Sequence, residues 1–66
     1  MAKPCLQIGV RVRVHSPNAD RVHGQIGTIT KEWEEGFVVL FDTPPTGYSG
    51  QLIIECGFFE HELVFL

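Results

Sequence analysis

Apolar and polar residues alternate strictly near the start of the chain. Between residues 10 and 14 every second residue is valine, and Arg11, Arg13 and His15 occupy the positions between and after the valines. Successive side chains of a strand point to opposite faces, so this pattern is typical of a strand with one buried face. We expect the valines to face a core and the basic side chains to face solvent.

The next apolar pattern is less regular. Residues 16–23, SPNADRVH, are rich in loop formers and predict a long first loop. A strand is predicted from residue 25 to residue 33, but Ile26 and Ile29 fall on opposite faces of a regular strand. A bulge or sharp bend at Gly27 would bury both isoleucines, and we predict one there.

The rest of the chain alternates apolar runs with turn-forming residues. A turn is predicted at 34–36, with Gly36 able to take a positive φ, and the run at 37–42 is so uniformly apolar that both faces of that strand are expected to be covered. The remaining predicted elements are a second long loop at 43–50, a strand at 51–56, a helical turn at 57–63 that buries Phe58 or Phe59 together with Leu63, and a final strand at 64–66.

Five predicted strands and almost no helix signal indicate a single all-β domain. We assign it to residues 1–66, with residues 1–7 as a loose N-terminal tail. Short strands separated by these loops fit a small, strongly bent barrel, because closing a sheet removes the exposed edges that promote aggregation. The predicted fold is a five-stranded barrel with a long first loop and a short 3-10 turn before the last strand.

Four segments of the chain resemble a known barrel pattern. They read GVRVRV, GQIGTI, VVLFD and FFEHELVFL, and they span the chain from about Gly9 to Leu66. This arrangement resembles small SH3-like barrels of the bacterial and KOW-like kind. The resemblance implies an SH3-like barrel, and KOW-like domains bind nucleic acid or ribosomal protein. The first loop lacks the aromatic residues of peptide-binding SH3 domains, and Trp33 stands alone where they carry paired tryptophans, so recognition of proline-rich segments is not expected.

A second resemblance is to the plasmid-borne type II dihydrofolate reductases, which are small SH3-like barrels that act as tetramers. The segments GVRVR, GQI and GQLIIE follow the layout of that family. Gln51 stands in the place of the glutamine in that family's Val-Gln-Ile-Tyr pore segment, which implies a role in holding a pterin or nicotinamide amide. Ile54 replaces the tyrosine. The enzymatic alternative implied here is an NADPH-dependent reductase that is active as a tetramer.

Charge and composition limit the choice of partner. The chain is 44% hydrophobic and 20% charged with a formal net charge of −3, whereas nucleic-acid-binding modules usually carry a basic excess. Nucleic-acid binding through Arg11, Arg13, Arg21 and Lys31 is therefore an alternative and not the main prediction. No apolar run approaches the ~18 residues of a membrane span, and the N-terminus lacks the apolar region of a secretory signal, so we expect a cytoplasmic protein with no membrane contact.

Candidate reactive groups are few and poorly spaced. Cys5 and Cys56 are the only cysteines, and without another sign of export we expect both to be reduced. His15 and His23 are eight residues apart, which is not the spacing of a zinc site. His61 lies between two glutamates, and a solvated helical turn explains this group better than a nucleophile with its base does. We predict no metal, no cofactor and no catalytic residue.

These patterns favour a small non-catalytic binding or accessory module that interacts with a protein partner. Trp33 and Tyr48 lie in or beside predicted loops, where large aromatic side chains either cap the ends of a barrel or contact a partner. The runs FVVLF and QLIIE offer more β surface than so small a barrel buries, so a homodimer is a further prediction. The predicted binding surface consists of Arg11, Arg13, Arg21, His23, Trp33 and Tyr48.

Overall fold

The computed structural model describes residues 6–66 and shows an all-β chain. Its strands are β1 (Arg11–Val14), β2 (Ile26–Glu32), β3 (Gly36–Phe41), β4 (Glu55–Phe59) and β5 (Leu63–Phe65). The only helical element in this part of the chain is a 3-10 turn at Glu60–Glu62, directly before β5. The predicted all-β class and the short turn before the last strand are confirmed. Within residues 6–66 no helix has the length and apolar character needed to cross a bilayer.

Two predictions concern residues that lie largely outside this range. Cys5, and with it the question of a bridge to Cys56, is not among the described residues. The same holds for most of the predicted tail at 1–7, although Leu6 is partly buried and packs against the core. Just before β1, Gly9 N donates to Ile29 O at 2.8 Å, so the chain is already attached to β2 at this point.

The five strands form one antiparallel sheet in the order β4-β3-β2-β1-β5. The two edge strands, β4 and β5, are consecutive in the chain and are joined by the 3-10 turn alone. In a flat sheet these edges would be about 19 Å apart, at about 4.8 Å per strand spacing. The peptide steps from Phe59 to Leu63 reach about 14 Å at most. The sheet is therefore strongly curved, although β4 and β5 do not pair with each other to close it.

The hydrophobic core lies on one face of this sheet. Val12 and Val14 of β1 are 0% and 1% exposed while Arg11 and Arg13 are exposed, which confirms the predicted alternation. The first loop also contributes to the core, since Val22 is buried. Full burial of an aliphatic side chain stabilises a fold by about 1.5–3 kcal/mol, so these few residues supply much of the driving force. Among residues 6–66 the buried apolar residues are Val12, Val14, Val22, Ile29, Val39, Phe41, Phe58 and Leu63.

The prediction of a bulge at Gly27 that buries both isoleucines is wrong. Gly27 pairs regularly with Val12 and with Phe41, and the register shift lies later in β2, between Ile29 and Lys31. Ile29 is fully buried, but Ile26 points to the opposite face and is 37% exposed. The glycine at 27 is required for a different reason, which is the close approach of β3.

The outer face of β3 is less covered than predicted. Val39 and Phe41 face the core and are 0% and 4% exposed, whereas Leu40 is 41% exposed. Leu40 lies opposite Thr28 on β2 and Glu55 on β4. All five strands of residues 6–66 belong to the same sheet, so no second sheet covers this side.

The fourth strand begins later than predicted. The strand expected at 51–56 starts at Glu55, because the preceding residues fold back on the second long loop. Gly47 N donates to Gln51 O at 2.7 Å within this fold-back. Backbone groups that are satisfied inside the loop have no need of a partner in the sheet.

The helical turn is shorter than predicted, and β4 extends through residues 57–59. The alternation of this strand settles which phenylalanine is buried. Phe58 is 7% exposed and packs in the core with Leu63, whereas Phe59 is 51% exposed. The predicted burial of Leu63 is confirmed.

The turn between β2 and β3 differs from the prediction in its glycine. Among the described residues a positive φ occurs only at Gly9, Gly24 and Gly50, so Gly36 is not left-handed. A Cβ at Gly36 would lie 2.9 Å from the carbonyl carbon of Phe58 and would overlap its oxygen. Gly36 therefore lets β4 approach β3 closely.

Candidate functional site

Two exposed aromatic side chains, Trp33 and Phe59, line one groove at the end of the β2–β3 hairpin. Trp33 N donates to Gly36 O at 2.7 Å, and Gly36 in turn lies opposite Phe59 on β4. Residues directly opposite in antiparallel strands project to the same face, so Trp33, Gly36 and Phe59 form one row. The middle position of the row has no side chain, while Trp33 is 63% and Phe59 is 51% exposed.

This row crosses an open groove with a volume of about 200 Å³. Its two aromatic walls are separated by two strand spacings, or about 10 Å between backbones, which leaves room for one side chain between them. Gly36 and Gly57 leave the floor of the groove uncovered. We call this the Trp33 groove, and its lining residues are Trp33, Glu35, Gly36, Phe37, Gly57, Phe58 and Phe59.

The Phe59 wall is held in place from several directions. The His61 ring stacks on the Phe59 ring with a centroid distance of 5.8 Å and an interplanar angle of 8°. Phe59 N donates to Glu62 Oε1 at 2.9 Å, and Ser16 Oγ donates to Glu62 Oε2 at 2.7 Å. His15 N also donates to Glu62 O at 2.6 Å, so the 3-10 turn is attached to the first loop.

The two hydrogen bonds to the Glu62 carboxylate affect its titration. The bond from the Phe59 backbone, followed by the bond from Ser16, holds the pKa of Glu62 below its ordinary value of 4.5. Because the folded pKa is depressed, this carboxylate contributes stability that is fully present above about pH 4.5 and is lost as the pH falls through the folded pKa.

We expect Glu62→Gln to lower the free energy of unfolding at pH 7 by about 1–2 kcal/mol, because charge-assisted hydrogen bonds are replaced by neutral ones. The variant should also lose stability less steeply than the wild type between pH 5 and pH 3, as measured by urea unfolding at each pH. Asp42→Asn is the comparison variant. The Arg11 guanidinium lowers the pKa of Asp42 as well, but that ion pair is exposed, so its loss should change the pH dependence of stability less. An unchanged pH slope in Glu62→Gln would contradict the assignment.

Tyr48 lies at the tip of the second long loop and joins it to the first. Its hydroxyl donates to Asp20, and Arg21 lies over its ring with Cζ 4.6 Å from the centroid. The hydrogen bond to Asp20 raises the pKa of Tyr48, which stays protonated at neutral pH. The ring is 78% exposed even so. Arg21 and Tyr48, both predicted site residues, are therefore brought together.

A wide depression lies between these two loops and has a volume of about 490 Å³. Gln51, which the reductase resemblance singles out, is an exposed residue of its rim. Cys56 also borders it, and burial raises the pKa of the Cys56 thiol, which favours the protonated form. Trp33 does not line this depression, so Trp33 and Tyr48 belong to separate surfaces.

The predicted basic residues of β1 lie on the outer face of the sheet. Arg11 donates to Asp42 through both terminal nitrogens, at 2.7 and 2.5 Å, and to Thr28 Oγ1 at 3.3 Å. Arg13 is exposed and lies opposite Ile26. Both side chains of the Arg11–Asp42 pair are exposed to solvent. Dissolved salt therefore screens their attraction, and the pair adds little to stability.

His23 takes part in a contact between the two ends of the first loop. Its ring centroid is 5.2 Å from that of His15, and its Nδ1 accepts a hydrogen bond from Ser16 N at 3.0 Å. The contact is therefore with the backbone of Ser16, while the Ser16 hydroxyl donates to Glu62. Within residues 6–66 no three His, Cys, Asp or Glu side chains are placed to hold a metal ion.

The sequence patterns singled out Trp33 but not the residues that face it. In the sequence, Phe59, His61 and Glu62 all belong to the predicted helical turn, and no local pattern indicates that they lie beside Trp33. Their role depends on the pairing of Gly36 with Phe59, two residues that are 23 positions apart in the chain. Compared with protein-family models, curated proteins and solved structures, the chain shows no significant match to any of them.

Proposed function

We propose that the protein is a non-catalytic module, built as a small SH3-like barrel, that binds a protein partner through the Trp33 groove. The observation that carries this proposal is the row of Trp33, Gly36 and Phe59, in which two exposed aromatic side chains flank a glycine and line one groove. The strand order and the strong curvature of the sheet agree with a barrel of this kind.

Both aromatic walls are suited to act as binding anchors. Tryptophan is among the residues that contribute most to binding energy at interfaces, because it buries a large area and loses few rotatable bonds. Trp33 flanks the two-residue loop of the β2–β3 hairpin and is hydrogen-bonded to Gly36. Phe59 is stacked on His61, and its backbone N–H donates to Glu62. A site that is already ordered loses less conformational entropy on binding.

The sheet edge beside the groove favours an extended partner. β4 is an edge strand and has a paired neighbour, β3, on one side only. A segment that adds to such an edge gains main-chain hydrogen bonds, while side-chain pockets beside it give specificity. Gly57, in the middle of β4, lines the groove and leaves the approach to it open.

The distribution of charge supports a protein partner over nucleic acid. Of the cations in the nucleic-acid alternative, Arg11 is paired with Asp42 and Arg21 is stacked on Tyr48. Each already interacts with another group of this chain. Affinity for nucleic acid depends on several cations that neutralise phosphates together.

A selection from a displayed library of random peptides tests the proposal. The immobilised wild-type protein should enrich related peptides, and Trp33→Ala should weaken their binding about thirtyfold or more, as expected for a hot-spot residue worth about 2 kcal/mol. Tyr48→Ala is the matched control, because it removes an aromatic side chain that is even more exposed than Trp33 and lies on the other surface. Circular dichroism checks that both variants fold.

Two results would overturn the proposal. One is that no related peptides are enriched by the wild-type protein. The other is that Trp33→Ala and Tyr48→Ala weaken the selected peptides equally, which would mean that the groove has no special role.

A further inference from the structure

The surroundings of the Trp33 groove are acidic. The hairpin segment KEWEEG at 31–36 has three glutamates and one lysine, and Glu32, Glu34 and Glu35 are all exposed. Glu35 lines the groove itself, and Glu60 follows directly after Phe59. The acidic residues therefore stand on the same part of the surface as the two aromatic walls.

No lysine or arginine among residues 6–66 forms a salt bridge with the glutamates at the groove. The only salt bridge among the described residues is between Arg11 and Asp42, on a different part of the sheet. Lys31 lies opposite Val38 and is not a lining residue. The His61 ring is stacked on Phe59 at the edge of the groove.

Aromatic faces and unpaired carboxylates together favour a cationic ligand. A cation over an aromatic ring gains about 0.5–2 kcal/mol, and arginine takes part in such contacts more often than lysine. The guanidinium group is flat, so it stacks on rings and also donates to a carboxylate in a forked arrangement. A slot about one side chain wide, with rings on both sides and Glu35 beside it, matches this shape.

The same chain already contains an arginine in such surroundings. Arg21 lies over the Tyr48 ring, and Asp20 accepts a hydrogen bond from the Tyr48 hydroxyl. At that place the cation is supplied by the protein, whereas no lysine or arginine of residues 6–66 lines the Trp33 groove.

We propose that the Trp33 groove takes an arginine side chain from a basic, extended segment of a protein partner. This inference rests on the proposed function and adds the chemical class of the ligand. The segment lies along the edge of β4, its guanidinium group enters between Trp33 and Phe59, and Glu34 and Glu35 balance its charge.

Titration of the labelled protein with three synthetic peptides, followed by amide chemical shifts, tests this inference. The peptides share a glycine-serine background and carry arginine, lysine or citrulline, where citrulline keeps the shape of arginine without its charge. The arginine peptide should bind at least about tenfold more tightly than the citrulline peptide, and the lysine peptide should be intermediate. The shifts should be concentrated at Trp33, Gly36 and Phe59.

Variants of the protein separate charge from shape. Trp33→Ala should abolish the preference for arginine, and a double variant with Glu34→Gln and Glu35→Gln should weaken the arginine peptide about fivefold and reduce its salt dependence. Glu55→Gln is the control for the loss of a carboxylate elsewhere, because Glu55 lies at the far end of β4 and does not line the groove.

The outcomes distinguish this inference from the proposed function. If the library selection yields peptides that depend on Trp33 but carry no cation, the module remains and the arginine inference is overturned. Equal affinity for the arginine and citrulline peptides overturns it as well. Shifts at Trp33 that appear on concentrating the protein alone would assign the groove to a second copy of this chain.

Discussion

Ile29→Ala is expected to lower the free energy of unfolding by about 3–4 kcal/mol, the cost of a cavity at a fully buried aliphatic position. Ile29 is 0% exposed and lies at the centre of β2, where it pairs with the equally buried Val39. A chain of this size is stabilised by only about 3–10 kcal/mol, so the variant should be close to unfolding at 37 °C. Urea unfolding followed by circular dichroism measures the loss, because Trp33 is exposed in the folded state and reports poorly.

The matched control is Ile26→Ala on the same strand. Ile26 is 37% exposed on the outer face, so its truncation should cost less than about 1 kcal/mol. If Ile29→Ala does not fold at all, Ile29→Val provides the graded version, with an expected loss of about 0.5–1.5 kcal/mol. Equal losses for Ile26→Ala and Ile29→Ala would show that the register of β2 differs from the one described.

Gly27→Ala is expected to lower the free energy of unfolding by about 3 kcal/mol, which is at the upper end for overpacking. A Cβ at this position would overlap Leu40 O and would lie 2.7 Å from Val39 Cγ1 and 2.9 Å from Leu40 C. Two of these three atoms belong to the backbone of β3, so a change of rotamer cannot relieve the contact. The strands would have to move apart, and the hydrogen bonds between β2 and β3 would weaken.

Gly57→Ala tests the same type of substitution at a strand glycine with room for the methyl group. The nearest atom to a Cβ there is Phe37 O at 3.9 Å, an ordinary contact distance, and Gly57 has no positive φ. Its stability should change by less than about 0.5 kcal/mol, as at most surface positions. If Gly57→Ala destabilises the protein as much as Gly27→Ala does, the effect comes from strand glycines in general and not from the approach of β3.

The fold was predictable from the sequence where the signal is local. In β1, neighbouring side chains alternate between the core and solvent, and this pattern can be seen in the sequence alone. Val12 and Val14 are buried as the pattern predicts. The two isoleucines of β2 were not predictable in this way. The position of the register shift, between Ile29 and Lys31, is set by the pairing with β3, and nothing in β2 itself marks it.

The candidate site was predictable in its individual residues more than in their grouping. Exposed Trp33 and Tyr48 were expected from their places in or beside loops, whereas the separation of their two surfaces follows from the folded arrangement. The hydrogen bond from Ser16 to Glu62 joins residues 46 positions apart. Contacts over such a distance depend on the curvature of the whole sheet, which no short sequence pattern contains.

The position of β5 beside β1 has a consequence for how the chain reaches its native state. β1 pairs with β2 early in the sequence, but its other neighbour is the strand at Leu63–Phe65. The valines of β1 therefore remain partly uncovered until the distant strand Leu63–Phe65 has paired with β1. Completion of the core is then a long-range event, and pairings between residues far apart in a chain form more slowly than local contacts.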